Sequence, residues 1–170
     1  VGKDVIVCLD ATSGKTLWKF ENDGRPTGRR TSGTCAVVQG RVFATGSTHL
    51  YCVDAKDGRL VWKVELKSAA GGASPLVANG HVWLLAGTLA CYSISDGKLV
   101  WTNKDVRGDA SSPLLWNTSD GKSTLVCQGG KDLAGLDPDT GAKRWVVEGG
   151  GQSSPVSEGD HLVVFSGTKD

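Results

Sequence analysis

Methionine is absent from all 170 residues, and the chain opens on Val1. No signal-peptide pattern is legible at that start, so the chain reads as a processed protein or a segment of a longer one. Long apolar runs are also missing. None approaches the roughly 20 residues a helix needs to cross a bilayer, which argues against direct membrane insertion. Charge of one sign is lacking: 19 Lys and Arg stand against 18 Asp and Glu, a formal charge of +1. That leaves no electrostatic case for binding nucleic acid or an anionic membrane surface. No useful stretch repeats its apolar residues every 3.6 positions, so no helix is expected.

Glycine, by contrast, is abundant at 24 residues, which suits short strands joined by tight turns. One phrase recurs four times: Cys8-Leu9-Asp10 with Gly14 and Trp18, Cys52-Val53-Asp54 with Gly58 and Trp62, Cys91-Tyr92-Ser93 with Gly97 and Trp101, and Gly135-Leu136-Asp137 with Gly141 and Trp145. The tryptophans of successive phrases lie 44, 39 and 44 residues apart. A period near forty is the mark of a repeat architecture. Asp10, Asp54 and Asp137 can accept hydrogen bonds from the backbone of the turn that follows. The glycine permits a positive φ, and the tryptophan brings a large flat surface with one N–H that needs a partner. Ser93 replaces the aspartate in one copy, so that turn is expected to be less well braced. The small residue that opens each phrase is expected to leave room for a neighbouring unit's ring.

The five cysteines do not read as a disulfide framework. Cys8, Cys52 and Cys91 share one slot in three repeats, about 10 Å apart if the repeats pack as sheets, beyond the roughly 7 Å a bridge allows between Cα atoms. Cys35 and Cys127 fall on strands of non-adjacent repeats. Five free and mostly buried thiols are expected.

Short strands rich in Val, Leu and Trp, bounded by Gly, Asn, Asp and Ser, fill the chain. Full four-stranded units are expected over about 31–68, 71–104 and 109–148. Two-stranded halves are expected over 1–22 and 152–170, all within one region spanning 1–170. Repeated units of four antiparallel strands make an all-β propeller of four blades' worth of chain. The opening half supplies the third and fourth strands of a blade and the closing half its first and second. Unpaired edges are a liability, so the two halves are expected to complete one shared blade, within this chain or with another copy. The matching phrases Ser166-Gly167-Thr168-Lys169-Asp170 and Val1-Gly2-Lys3-Asp4 agree with such a junction.

The pattern small-x-Asp-x-x-x-Gly-x-x-x-Trp resembles the tryptophan-docking motif of the pyrroloquinoline-quinone-type β-propeller repeats. That family includes quinoprotein alcohol dehydrogenases and a propeller lipoprotein of outer-membrane β-barrel assembly. Ala73-Ser74-Pro75, Ser111-Ser112-Pro113 and Ser153-Ser154-Pro155 match the family's phrase at the start of the innermost strand, with Gly33-Thr34-Cys35 in its place once. The family usually closes rings of about eight blades. The resemblance therefore implies half of an eight-bladed ring, completed by a homodimer or by the rest of the same ring; a closed four-bladed ring is the other possibility. It also implies an extracytoplasmic, periplasmic location in a bacterium, although free cysteines equally suit a cytoplasm.

The resemblance offers a cofactor that the residues do not match. The family's enzymes hold pyrroloquinoline quinone with an adjacent-cysteine disulfide, calcium, a stacking tryptophan and an aspartate base; no two cysteines here are adjacent. The Asp54–Gly58 and Asp137–Gly141 stretches lack the further oxygen ligands and distal bidentate Glu of a calcium loop. The three histidines are not spaced as metal ligands. Gly121-Lys122-Ser123 imitates the end of a phosphate loop, but Trp116 stands where its first glycine belongs. No catalytic, cofactor-binding or metal residue is nominated. The better candidates are polar residues in the loops entering the innermost strands, which rim one mouth of the axis: Arg29, Arg30, Arg107, Asp109, Gln152 and Ser153. Gly71-Gly72 and Gly149-Gly150-Gly151 are expected to leave room there. The arginines suit an anion or an acidic segment.

The first reading is thus a non-catalytic scaffold that binds a protein or peptide, by its rim or by strand addition at an open edge. Two alternatives stand beside it: a fragment of a quinone-dependent dehydrogenase, with the quinone and calcium held elsewhere in a larger protein, and a propeller that senses a small ligand or sugar.

Overall fold

The computed structural model describes residues 4–22 and 33–166, and every regular element there is a strand. A two-stranded hairpin comes first, β1 (Val5–Leu9) with β2 (Thr16–Glu21). A four-stranded antiparallel blade follows in chain order: β3 (Ala36–Val38), β4 (Arg41–Thr45), β5 (His49–Asp54) and β6 (Leu60–Glu65). The next unit is β7 (Leu76–Ala78), β8 (His81–Ser93) and β9 (Leu99–Gly108). Then come β10 (Leu114–Asn117), β11 (Ser123–Gly129), β12 (Asp132–Leu136) and β13 (Lys143–Glu148), again a four-stranded antiparallel blade. The hairpin β14 (Val156–Glu158) and β15 (His161–Val163) ends the order.

The second unit was expected to hold four separate strands, and its middle two run on as β8. The Ile94 N–H donates to the Gly80 carbonyl at 2.9 Å, so the two ends of β8 meet. The bend falls at Gly87, whose φ of +77° suits glycine. The tip, Gly87 and Thr88, pairs with Gly108 and Arg107. Those pairs carry β9 five residues past Asn103, where the sequence suggested it would end.

The repeated phrase builds the same turn each time. The glycine N–H donates to the carbonyl four residues back: Gly14 to Asp10, Gly58 to Asp54, Gly97 to Ser93 and Gly141 to Asp137, at 2.8–3.0 Å. Each of these glycines has φ between +68° and +73°. Asp10 Oδ1 accepts from the Ser13 backbone at 2.7 Å, Asp54 Oδ1 from Lys56 at 2.8 Å and Asp137 Oδ1 from Thr140 at 3.0 Å. Ser93 Oγ accepts from the Ser95 backbone only at 3.3 Å, the weaker brace expected of it.

Neighbouring units are fastened by the tryptophans. Trp18 Nε1 donates to the Ala55 carbonyl (2.9 Å), Trp62 to Ile94 (3.1 Å) and Trp101 to Pro138 (3.1 Å), each on the next unit's turn. The same rings cover the next turn glycine so closely that a Cβ on Gly58, Gly97 or Gly141 would lie 2.5–2.8 Å from Trp18, Trp62 or Trp101. The small residue that opens each phrase has a different use from the one expected. Cys8, Cys52, Cys91 and Gly135 sit directly across the strand pair from Trp18, Trp62, Trp101 and Trp145 of their own unit. They make room for their own blade's ring, while the neighbour's ring lands on the turn.

A second fastener runs along the innermost strands. The Thr34 N–H donates to Ser74 Oγ at 2.7 Å, Ser74 N–H to Ser112 Oγ at 2.9 Å and Ser112 N–H to Ser154 Oγ at 2.9 Å. Between these two lines of contact lies the apolar filling. Phe43, Leu50, Trp83, Leu84, Leu85, Leu89, Leu125 and Leu136 are all buried in one continuous cluster.

Among the described residues, the two end hairpins do not complete one blade. β1–β2 and β14–β15 are separate two-stranded sheets. Among the described residues, nothing comes within 4 Å of a Cβ placed on Gly14, the turn glycine with no tryptophan over it. Trp145 is the one described tryptophan whose indole N–H has no acceptor among the described residues. Side chains that an adjoining blade would cover stand open: Leu17 and Val163 are 63% and 61% exposed, and Phe165 is 80% exposed. The described chain is therefore an open arc of three blades between two half-blades, and not a closed four-bladed ring. The matching phrases at the two termini fall largely outside the described residues.

Candidate functional site

Three of the six rim candidates meet. Arg107, Asp109 and Gln152 line one cleft of about 310 Å³, with Ser111, Gln128 and glycine backbone completing its wall. Arg107 is on β9 and not in a loop, placed there by its pairing with Thr88. Its Nε donates to the Lys104 carbonyl at 2.9 Å, which fixes the side chain's root and leaves the two Nη groups without an acceptor among the described residues. Asp109 is held by its backbone. Its carbonyl accepts from the N–H of Gly72 at 2.9 Å and of Ala73 at 3.2 Å, while its carboxylate has no hydrogen-bond partner among the described residues. The Gln152 amide is likewise uncommitted and exposed. Arg29 and Arg30 lie outside the described residues.

Ser153 has a supporting role. Its Oγ lies 3.0 Å from Gln128 Oε1 and 2.5 Å from the Phe165 carbonyl. Gln128 is fully buried and follows the apolar run Leu125-Val126-Cys127 of β11, and its Nε2 donates to the carbonyls of Gly149 (3.1 Å) and Phe165 (3.3 Å). It pins the loop that carries Gln152. Sequence reading missed it, although a lone amide ending the run Leu125-Val126-Cys127 was a usable signal.

The glycines leave less room than expected, because backbone fills it. A Cβ on Gly71 would lie 2.5 Å from the Asp109 carbonyl, and one on Gly150 would overlap the Lys131–Asp132 backbone. Only Gly151 of these lines the cleft.

One polar group in the cleft wall is unsatisfied. Ser111 is 2% exposed and its hydroxyl has no partner among the described residues. The repeat explains why. The residue before each hairpin glycine is Thr45, Ala86 or Gln128. Thr45 Oγ1 reaches the Ala73 carbonyl at 3.1 Å and Gln128 reaches Ser153. Ala86 offers Ser111 no polar atom. A buried hydroxyl left unpaired costs about 1–3 kcal/mol, and a bound polar group would recover it. The cleft thus presents the two Nη groups of a guanidinium, a carboxylate, an amide and a hydroxyl, none with a hydrogen-bond partner among the described residues. That set suits hydrogen bonding to a polar ligand or backbone.

The thiols are free, and none forms a disulfide. Burial pushes Cys52 up to about 11, and Cys91 and Cys127 up to about 12. Those three behave as small apolar fillers; Cys8 is half-buried and Cys35 is exposed. Among the described residues no three His, Cys, Asp or Glu side chains gather as a metal cluster. No helix among them is long and apolar enough to cross a membrane.

Comparison with known proteins agrees with this architecture. The family described as outer membrane protein assembly factor BamB matches residues 2–169. Among solved structures, BamB from Moraxella catarrhalis aligns over 88% of this chain and 46% of its own, at 24% identity and a TM-score of 0.69. The quinohemoprotein alcohol dehydrogenase ADHIIG from Pseudomonas putida HK5 aligns over 71% of this chain and 21% of its own, at 24% identity and a TM-score of 0.58. The computationally designed Ika4 protein aligns over 85% of this chain and 90% of its own, at 15% identity and a TM-score of 0.63. No curated protein sequence matches. The chain spans about half the length of the Moraxella protein. With four docking turns in register and a family match along nearly its whole length, the chain belongs to the BamB-type family of pyrroloquinoline-quinone-like β-propellers.

Proposed function

We propose that the protein is a non-catalytic, extracytoplasmic scaffold that binds a polypeptide at its rim, in the service of outer-membrane protein assembly. The observation that carries this reading is the cleft in which Arg107, Asp109 and Gln152 present uncommitted polar heads above the unpaired Ser111 hydroxyl. Such groups match a peptide backbone and its charged side chains. The family's description as an assembly factor supports a polypeptide as the occupant.

The alternative is a fragment of a quinone-dependent dehydrogenase, with the quinone and calcium held elsewhere in a larger protein. The cysteines are free and non-adjacent, and every described tryptophan except Trp145 commits its indole N–H to a backbone carbonyl. The described residues do not fit the quinone.

A second part of the proposal concerns the open ends. Trp145 needs a turn glycine and a carbonyl, and Gly14 needs a tryptophan. A second copy of this chain supplies both, and two copies make eight blades' worth of ring.

A photo-crosslinking residue at Gln152, in protein expressed in a bacterial periplasm, tests the rim. The expected result is a discrete adduct with a polypeptide of the outer-membrane assembly apparatus, lost in Arg107→Glu. Absence of any polypeptide adduct, or alcohol oxidation on adding pyrroloquinoline quinone and calcium, overturns the reading.

A further inference from the structure

Beside the rim cleft, and sharing Arg107 with it, lies a larger groove between the outer parts of two units. It measures about 570 Å³ and runs between the end of β6 and the β8–β9 hairpin. Its walls are apolar: Val64, Leu66, Ala90, Tyr92 and Leu99. Its lip carries Lys67, Lys104 and Arg107 against a single acid, Glu65, and none of the three cations forms an ion pair among the described residues.

The next gap along the arc is closed. There Lys143 pairs with Asp105 at 3.0 Å, Asn103 Nδ2 donates to the Gly141 carbonyl at 2.9 Å, and Val106, 5% exposed, fills the space between. Only about 70 Å³ remains. The open groove is therefore not repeated at the next junction along the arc. Its size is that of a site for a bulky group, and its apolar floor under a cationic lip sets what that group is.

We infer that the groove takes a short stretch of an acidic polypeptide segment, led by one large apolar side chain, whose backbone continues to the rim cleft past Arg107. This rests on the reading of the protein as a polypeptide-binding scaffold and names the partner's chemistry. The apolar anchor is buried against Leu66 and Tyr92, and flanking carboxylates meet Lys67, Lys104 and Arg107. Charges at such a lip act mainly on specificity and encounter rate, the buried anchor on residence time.

Selection from a displayed library of random nine-residue peptides tests this. The expected consensus is a single Leu, Phe or Trp flanked by Asp or Glu. Synthetic versions of the selected peptides should lose at least tenfold in affinity when the anchor becomes Ser or the acids become Lys. Two exposed-site variants should weaken binding to the same degree with unchanged circular dichroism: Thr102→Trp, which fills the groove, and Lys104→Glu, which reverses its lip. Asp109→Asn and Gln152→Ala probe the rim alone. If the rim variants abolish binding and the groove variants do not, the groove inference fails and the rim reading stands. Enrichment of basic peptides, or of none, overturns the inference, as does saturable binding of dodecanoate in the groove with no acidic peptide selected.

Discussion

Trp62 and Trp145 occupy the same place in the repeat and have opposite surroundings. Trp62 is 9% exposed, covers Gly97 and donates to Ile94. Trp62→Ala should cost about 3–5 kcal/mol in chemical denaturation, the usual range for a buried Trp. Trp145→Ala should cost the isolated chain much less and weaken self-association instead. The thiols give a pH test. Cys52, Cys91 and Cys127 have folded-state values raised above the ordinary value of 9.0. The unfolded chain therefore ionises first as pH rises, and the stability these groups contribute is complete below about pH 9 and is lost between there and about 12. Melting temperature against pH should show that alkaline decline, reduced in Cys127→Ala relative to its own value at pH 7. The tryptophan motif was legible from residue type and spacing alone. Which surface each ring meets was not, because spacing reports a period and not a direction, and so the small-residue slot was given to the wrong neighbour. Gln128 escaped notice because burial of a lone amide depends on partners 21 and 37 residues away.

At the scale of elements, the four turns form an internal series in which one member departs. The Asp10 and Asp137 side chains brace their turn backbones at 2.7 and 3.0 Å, whereas Ser93 Oγ accepts from the Ser95 backbone only at 3.3 Å and spends its short contact, 2.8 Å, on the Ser95 hydroxyl. Ser93→Asp should stabilise the protein by about 0.5–1.5 kcal/mol, the net worth of one hydrogen bond, measured as a shift in denaturation midpoint at constant slope. No gain, with an unchanged slope, would mean that Asp96 at the same turn offsets the new carboxylate. Strand identity followed well from apolar runs between turn residues. The length of β9 did not, since it depends on the β8 tip arriving beside Arg107 and Gly108. That extension moved Arg107 from a loop to a strand and gave the rim a rigid wall.

For the whole molecule, the order and phase of the repeating units were readable in the sequence, but closure was not. Closure depends on curvature accumulated over every junction, which no single repeat encodes. The structure leaves both ends of the arc with unused fasteners: Gly14 uncovered, Trp145 without an acceptor among the described residues, and Leu17, Val163 and Phe165 facing outward. Edges of this kind are a liability that proteins cover or blunt, and under the proposed reading a second copy covers these. The most direct test is the molar mass of the 170-residue chain in solution by light scattering or sedimentation, across a dilution series. Two copies completing one ring predict a mass twice 17.7 kDa, falling to the monomer in Trp145→Ala. A wild-type chain that stays at the single-chain mass at high micromolar concentration contradicts it.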